Sequence, residues 1–191
     1  MLTISEGTGE FYQHYPKVPT IVTTSVKGKD NAMAVAWHSA ISFKPPLYGV
    51  SISPKRFTYQ LILESKEFGI NFVPFEAAEL IASVGGSKGG DIDKFRRFGM
   101  AKTNPLKTGV PILKDAYAAY ECKLTDNITY GDHVWVVGEI LAVHFAEETF
   151  TSKGIIDLGK ISPVLYLGAE VYAAMDKESM RLLDREVYGK R

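Results

Sequence analysis

Residues 19–26 read PTIVTTSV, residues 27–30 read KGKD and residues 31–38 read NAMAVAWH. The first run is rich in β-branched residues, which suit a packed, pleated surface, and a glycine-containing turn joins it to the second run. Together they read as two strands of a hairpin. At 42–46, SFKPP interrupts the pattern because consecutive prolines cannot donate to a ladder, and LYGVSIS at 47–53 resumes it as a third strand. From Phe57 the apolar spacing turns helical through Thr58, Tyr59, Leu61 and Ile62 to about Ser65. FGINFV at 68–73 alternates as a strand, residues 75–84 are helix-like, GGSKGG at 85–90 is a loop, and residues 93–98 offer one helical turn. Residues 116–124 and 134–146 are the longest strand candidates, parted by a polar turn at 125–131, and residues 163–167 form a last short strand. The tail at 175–191 sets Met180, Leu182, Leu183 and Val187 among charges, as a helix or arm that needs a surface to lie against. Many strands with few long helices, and no regular strand–helix alternation, predict a mainly β barrel or sandwich with short helices, in one domain over 1–191.

Composition narrows the function classes. The 191 residues carry 22 basic and 22 acidic side chains with no block of like charge, so the footprint of a nucleic-acid or anionic-membrane binder is missing. The apolar runs at 134–137 and 140–143 fall far short of the roughly 20 residues of a membrane span. The opening MLTISEGTGEF has neither a basic start nor an apolar stretch, and the expectation is a cytoplasmic protein. Cys122 is the sole cysteine, so an intrachain disulfide or a cysteine-based zinc site is impossible.

Few motifs survive in context. Gly85-Gly86-Ser87-Lys88-Gly89 has the form of a nucleophile elbow, but that elbow requires a strand before the serine and a helix directly after it, and here a helix-like segment precedes. His14, His38, His133 and His144 lack the spacing of a metal site, and none is expected. His144 reads as a structural or surface histidine in a strand. His133, next to Asp132 at the start of a strand, is placed either to meet a ligand or to close a turn. SISPKRFT at 51–58 sets hydroxyls and two cations at a strand–helix junction. A helix N-terminus of that kind suits a phosphate, and capping by Ser53 or Thr58 beside solvated Lys55 and Arg56 explains the same residues equally well.

NAMAVAWHS (31–39), KPPLYGVSISPKRFTY (44–59), FGINF (68–72), DKF (93–95), YEC (120–122) and DH (132–133) closely resemble, in content and order, the flavin reductase-like family, and within it the flavoredoxin and archaeal ferric reductase branch. The similarity covers about residues 19–168. It implies an FMN-binding split β-barrel, a homodimer, and flavin sites near the subunit interface. By this resemblance the strand from Asn31 through Ala36 to Trp37 lies along the flavin ring, with Asn31 and Trp37 touching it. Backbone groups of Ser51, Ile52 and Ser53 meet the ring or ribityl chain, Arg56 and Thr58 hold the phosphate with Tyr59 adjoining, and Lys94 adds a cation. Ser87 and Lys88 approach the phosphate from the glycine loop. His133 matches the family histidine near the flavin, and Tyr166 stands where relatives place an aromatic residue.

The implied activity is electron transfer from NADH or NADPH through bound FMN to ferric iron, free flavin or a small redox protein, with His133 and Trp37 shaping the reactive face. A non-catalytic FMN electron carrier reduced by a partner protein is the alternative.

Overall fold

The computed structural model describes residues 2–189. The strands, in chain order, are β1 (Thr20–Val26), β2 (Lys29–Val35), β3 (His38–Phe43), β4 (Pro46–Ile52), β5 (Glu67–Phe72), β6 (Lys102–Thr103), β7 (Ile112–Leu113), β8 (Ala118–Tyr130), β9 (His133–Phe145), β10 (Leu165–Gly168) and β11 (Val171–Ala173). Helices α1 (Phe57–Ser65), α2 (Ala78–Gly85), α3 (Lys94–Arg97) and α4 (Arg185–Tyr188) are short. Seven strands form one antiparallel sheet in the order β2-β1-β5-β8-β9-β4-β3, and β6-β7 and β10-β11 make two small hairpins. The two edges of the large sheet, β2 and β3, are consecutive in the chain with just Ala36 and Trp37 between them. Three Cα steps span at most about 11 Å, so the sheet must curl until its edges meet. The result is a barrel split between β2 and β3, and at its mouth the Ser51 amide donates to the Trp37 carbonyl at 2.8 Å, continuing the β3–β4 register into the linker.

Residues Thr20 to Thr24 of β1 are all buried, which explains the unbroken apolar and threonine character of PTIVTT. Alternate residues serve different cores. Val22 joins Val50, Ile52, Phe68, Ile70 and Val136, with Tyr59 and Ile62 of α1, in one cluster, whereas Ile21 packs with Val73, Ile81, Val84 and Val164 in another. A Cβ on Gly138 would stand 2.5 Å from the Phe68 ring, so β9 approaches the core closely because that residue has no side chain.

Two sequence expectations need correction, and the tail takes one of its two expected forms, the arm. The expected strand over 31–38 breaks at Ala36 and Trp37, where the chain crosses the split. The expected polar turn at 125–131 is strand as far as Tyr130: this end of the β8–β9 hairpin projects into solvent, so its side chains are polar while its backbone stays paired. The turn itself is Gly131-Asp132, with Gly131 at φ 62°. The tail is extended and exposed, with one short 3-10 turn at Lys177–Ser179 and the single turn of α4; residues 190–191 of that expectation lie outside the described residues.

One buried charge anchors a loop. Glu121 of β8 is fully buried and accepts from the amides of Leu106 (2.6 Å), Lys107 (2.8 Å) and Thr108 (2.7 Å), from the Thr108 hydroxyl (2.9 Å) and from His144 Nε2 (2.6 Å). Burial alone would raise its pKa, but these donors, His144 foremost, hold it at about 2. His144 is thereby a structural histidine, as expected. Because the folded value lies below the ordinary 4.5, this contribution to stability is complete above that pH and is lost as pH falls towards about 2. Glu121→Gln is expected to cost about 3 kcal/mol in urea unfolding at neutral pH and to flatten the acid limb of the stability profile. Unchanged stability would contradict this role.

Candidate functional site

Helix α1 begins at the mouth of the split. Arg56 is its N-cap residue, and no side chain caps the terminus; the Ser53 carbonyl accepts from the Arg56 amide at 2.9 Å, and the Ser53 hydroxyl is not used. Of the two readings of SISPKRFT, side-chain capping is therefore not what the structure contains. The first helical amides have no acceptor within the helix and present a partial positive charge. Around them a hollow of about 320 Å³ is lined by Met33 and Ala34 of β2, by Lys55, Arg56, Phe57 and Thr58, by the glycine loop from Gly85 to Asp91, and by Lys94. Four cations face a single carboxylate there.

Asn31 lies at the edge of this hollow, 3% exposed. Its Nδ2 donates to Thr58 Oγ1 at 2.8 Å, and its Oδ1 is buried without a partner. Thr58 Oγ1 accepts that bond, so its own proton is left to donate elsewhere. Directly across the β1–β2 ladder, the Thr24 hydroxyl is also buried and unpaired. A Cβ on Gly89 would overlap the Asn31 amide, so the loop approaches this closely because Gly89 has no side chain. Lys94 is 3% exposed, and its Nζ donates to the Val84 carbonyl at 2.7 Å. Asp93 caps α3 through the Arg96 amide at 3.0 Å and so fixes the turn that carries Lys94. Burial first, and the charge of Arg56 second, lower the Lys94 pKa to about 8. The Ser87 hydroxyl donates to the Val84 carbonyl at 3.3 Å, in a loop that follows a helix, so the surroundings of a nucleophile elbow are absent.

Past the end of β2, three residues beyond Ala34, is an aromatic corner. Trp37 donates through Nε1 to the Tyr15 hydroxyl at 3.0 Å, and its ring lies 5.0 Å from that of His133. The Asp132 carboxylate bonds His133 Nδ1 at 2.8 Å, which places a proton on that nitrogen. Ala36, Trp37 and Ser51 line a common hollow of about 300 Å³.

A family model for the flavin reductase like domain matches residues 12–174. The chain belongs to this family. Its fold is the family's split barrel. An FMN-binding protein from Thermus thermophilus is 36% identical, with a TM-score of 0.84 over 95% of this chain and 99% of that one. A flavoredoxin from Methanosarcina acetivorans is 26% identical, with a TM-score of 0.79 over 96% and 95%. An uncharacterised protein of Aeropyrum pernix is 32% identical over 160 residues, 81% of this chain, which spans 58% of that relative's length.

Within this flavin reductase-like chain, the residues singled out from sequence fall into groups. Asn31, Arg56, Thr58 and Lys94 converge on the cation-rich hollow with Ser87 and Lys88, whereas Ala36, Trp37, Ser51 and His133 meet at the corner. Ile52 and Tyr59 turn their side chains into the barrel core instead, Tyr59 donating to Asn127 Oδ1 at 3.4 Å, so neither side chain reaches the hollow. Tyr166 is paired through its backbone with Lys17, and its ring stands 5.7 Å from that of Tyr15, which links it to Trp37 at second hand. Sequence reading missed Tyr15 and Gly89. The aromatic run FYQHYPK at 11–17 is the signal that points to the first.

The Lys94 environment is directly measurable. With lysines isotopically dimethylated, one NMR resonance is expected to titrate near pH 8 while exposed lysines titrate near about 10.4, and Arg56→Gln should move it upwards. A Lys94 resonance indistinguishable from the exposed lysines would contradict the burial described.

Proposed function

We propose that this chain is an FMN-dependent oxidoreductase that takes electrons from NADH or NADPH and passes them to ferric iron, free flavin or a small redox protein. The observation that carries the reading is the cation-lined hollow at an uncapped helix N-terminus, with the unpaired Asn31 oxygen beside it. These residues fit flavin mononucleotide. Arg56, Thr58 and Lys94, with the first amides of α1, offer donors to a phosphate. Ser87 and Lys88 add a hydroxyl and a cation from the glycine loop. The Asn31 oxygen is an acceptor in need of a donor. FMN, when bound, supplies the redox chemistry by accepting hydride equivalents and releasing electrons. The polypeptide's part is to hold and orient. Trp37 presents a flat apolar surface, and His133, steadied by Asp132, offers its second ring nitrogen near the same corner. Membership of the flavin reductase-like family and the likeness to the Thermus FMN-binding protein support this reading.

Assembly as a homodimer fits the outer face of β9, where Leu141, Val143 and Phe145 are exposed beside an apolar groove of about 770 Å³. A cytoplasmic setting fits the lone buried thiol of Cys122. Among the described residues no helix is long and apolar enough to cross a membrane. The flavoredoxin likeness favours a second reading, an electron carrier built on the same site and reduced by a partner protein.

Anaerobic mixing of FMN-loaded protein with NADH or NADPH is expected to bleach the flavin absorbance, and the same preparation should sediment at about twice 21.1 kDa. Flavin that stays oxidised with both nucleotides, yet is reduced by a low-potential redox protein, would replace the enzyme reading with the carrier. A monomer mass would remove the dimer.

A further inference from the structure

Trp37 begins a series of oxidisable rings that leads away from the site. Its indole N–H donates to the Tyr15 hydroxyl at 3.0 Å. The Tyr15 ring stands 5.7 Å from that of Tyr166, and Tyr166 stands 5.1 Å from Tyr172, its partner on the facing strand of the β10–β11 hairpin. Both spacings lie in the range of packed aromatic pairs. Backbone contacts hold the series together. Lys17 and Tyr166 exchange two hydrogen bonds (3.0 and 2.7 Å), and a Cβ on Gly168 would stand 2.5 Å from the ring of Tyr12, so the hairpin comes this close because Gly168 has no side chain. All three tyrosines are half-buried.

Ring chemistry gives the series a direction. At neutral pH an indole radical is able to oxidise a phenol, whereas a benzene ring or an imidazole is harder to oxidise than indole. Of the rings against Trp37, Phe11 at 5.8 Å and His133 at 5.0 Å are therefore dead ends, and Tyr15 is the way out. The hydrogen bond serves the proton as well as the electron. Once a one-electron oxidant has taken an electron from Trp37 and its N–H proton has gone to water, the bare ring nitrogen faces the Tyr15 hydroxyl, which is free to turn its O–H towards it. The Tyr15 O–H bond breaks, the Trp37 N–H bond forms again, one electron passes with the proton, and a neutral phenoxyl radical is left on Tyr15. Tyr166 then gives an electron to Tyr15 and a proton to water while Tyr15 takes a proton up, and Tyr172 does the same for Tyr166.

We propose that Trp37, Tyr15, Tyr166 and Tyr172 form a radical relay that carries an oxidising equivalent from the redox corner to the β10–β11 hairpin. There a soluble thiol discharges it by giving up its S–H hydrogen to the Tyr172 oxygen. The relay's purpose rests on the proposed function, since Trp37 is the ring at the redox corner; the transfer itself needs no flavin. An oxidation that would destroy the indole at the site is moved to a place where it is repaired.

Pulse radiolysis of the purified protein without added FMN tests this, with azide radical as the oxidant because it attacks indole in preference to phenol at neutral pH. The indole radical absorbance is expected to decay, with matching growth of phenoxyl absorbance, at a rate independent of protein concentration. Tyr15→Phe with unchanged circular dichroism should abolish that phase, leaving the signal of Trp135, which has no ring contact in this series, as a constant background. A nitroso spin trap located by peptide mass spectrometry should mark Tyr172, and the mark should be lost in Tyr15→Phe and in Tyr166→Phe. Absence of the concentration-independent phase overturns the proposal, as does its survival in Tyr15→Phe or a Tyr172 mark that survives Tyr166→Phe. If Tyr15→Phe does not fold, the Tyr166→Phe map decides. Failure of the flavin reading shows separately, as FMN that is not retained, and leaves these results unchanged.

Discussion

Two residues of linker set the architecture. Because Ala36 and Trp37 alone separate the two edge strands of a seven-stranded sheet, the sheet closes on itself, and closure is incomplete where those residues lie. The split therefore falls in the stretch that carries Asn31, Met33 and Ala34 on one side and Trp37 on the other. Helix α1 seals the barrel interior with Tyr59 and Ile62 and exposes its N-terminus at the same place. One topological constraint thus brings an uncapped helix end, a glycine loop and an aromatic corner within reach of one ligand.

The site is also where the fold leaves its polar groups unfinished. Elsewhere among the described residues buried polar side chains are satisfied: Glu121 accepts five hydrogen bonds, and Asn71 bonds to β1 and to the Leu113 amide. At the hollow, Asn31 Oδ1 and the facing Thr24 hydroxyl have no partner, and Lys94 is buried among cations. An unsatisfied buried polar atom costs about 1–3 kcal/mol, a cost that a bound anionic ligand with its own donors offsets. The contrast between the completed Glu121 network and the unfinished Asn31 pair separates what stabilises the barrel from the hollow proposed to hold a ligand.

Much of this was legible in the sequence. β-branched runs, the Pro45-Pro46 break and the helical spacing from Phe57 placed β1, β4, β5 and α1 within a residue or two. The break at Ala36 was not legible, since NAMAVAWH is equally apolar on both sides of it and the interruption comes from sheet closure, a long-range demand. Nor was the extension of β8 to Tyr130, where exposed polar residues look like a turn although their backbone is paired. At the site, helix-terminus chemistry and the family resemblance singled out Arg56 and Thr58, and the resemblance alone Lys94; all three line the hollow. Ile52 was named for its backbone and Tyr59 as the neighbour of Thr58, and the alternation of strand and helix faces turns their side chains to the core. Tyr15 and Gly89 escaped because their roles depend on contacts with Trp37 and Asn31, far away in sequence.

On the reading proposed above, the cations and free amides at the start of α1 hold a phosphate joined to a flat ring. Comparing the affinities of FMN and riboflavin, which differ by that phosphate alone, tests it most directly. FMN is expected to bind at least about a hundredfold more tightly, as follows from several charge-assisted hydrogen bonds. Equal affinity for the two flavins would contradict it.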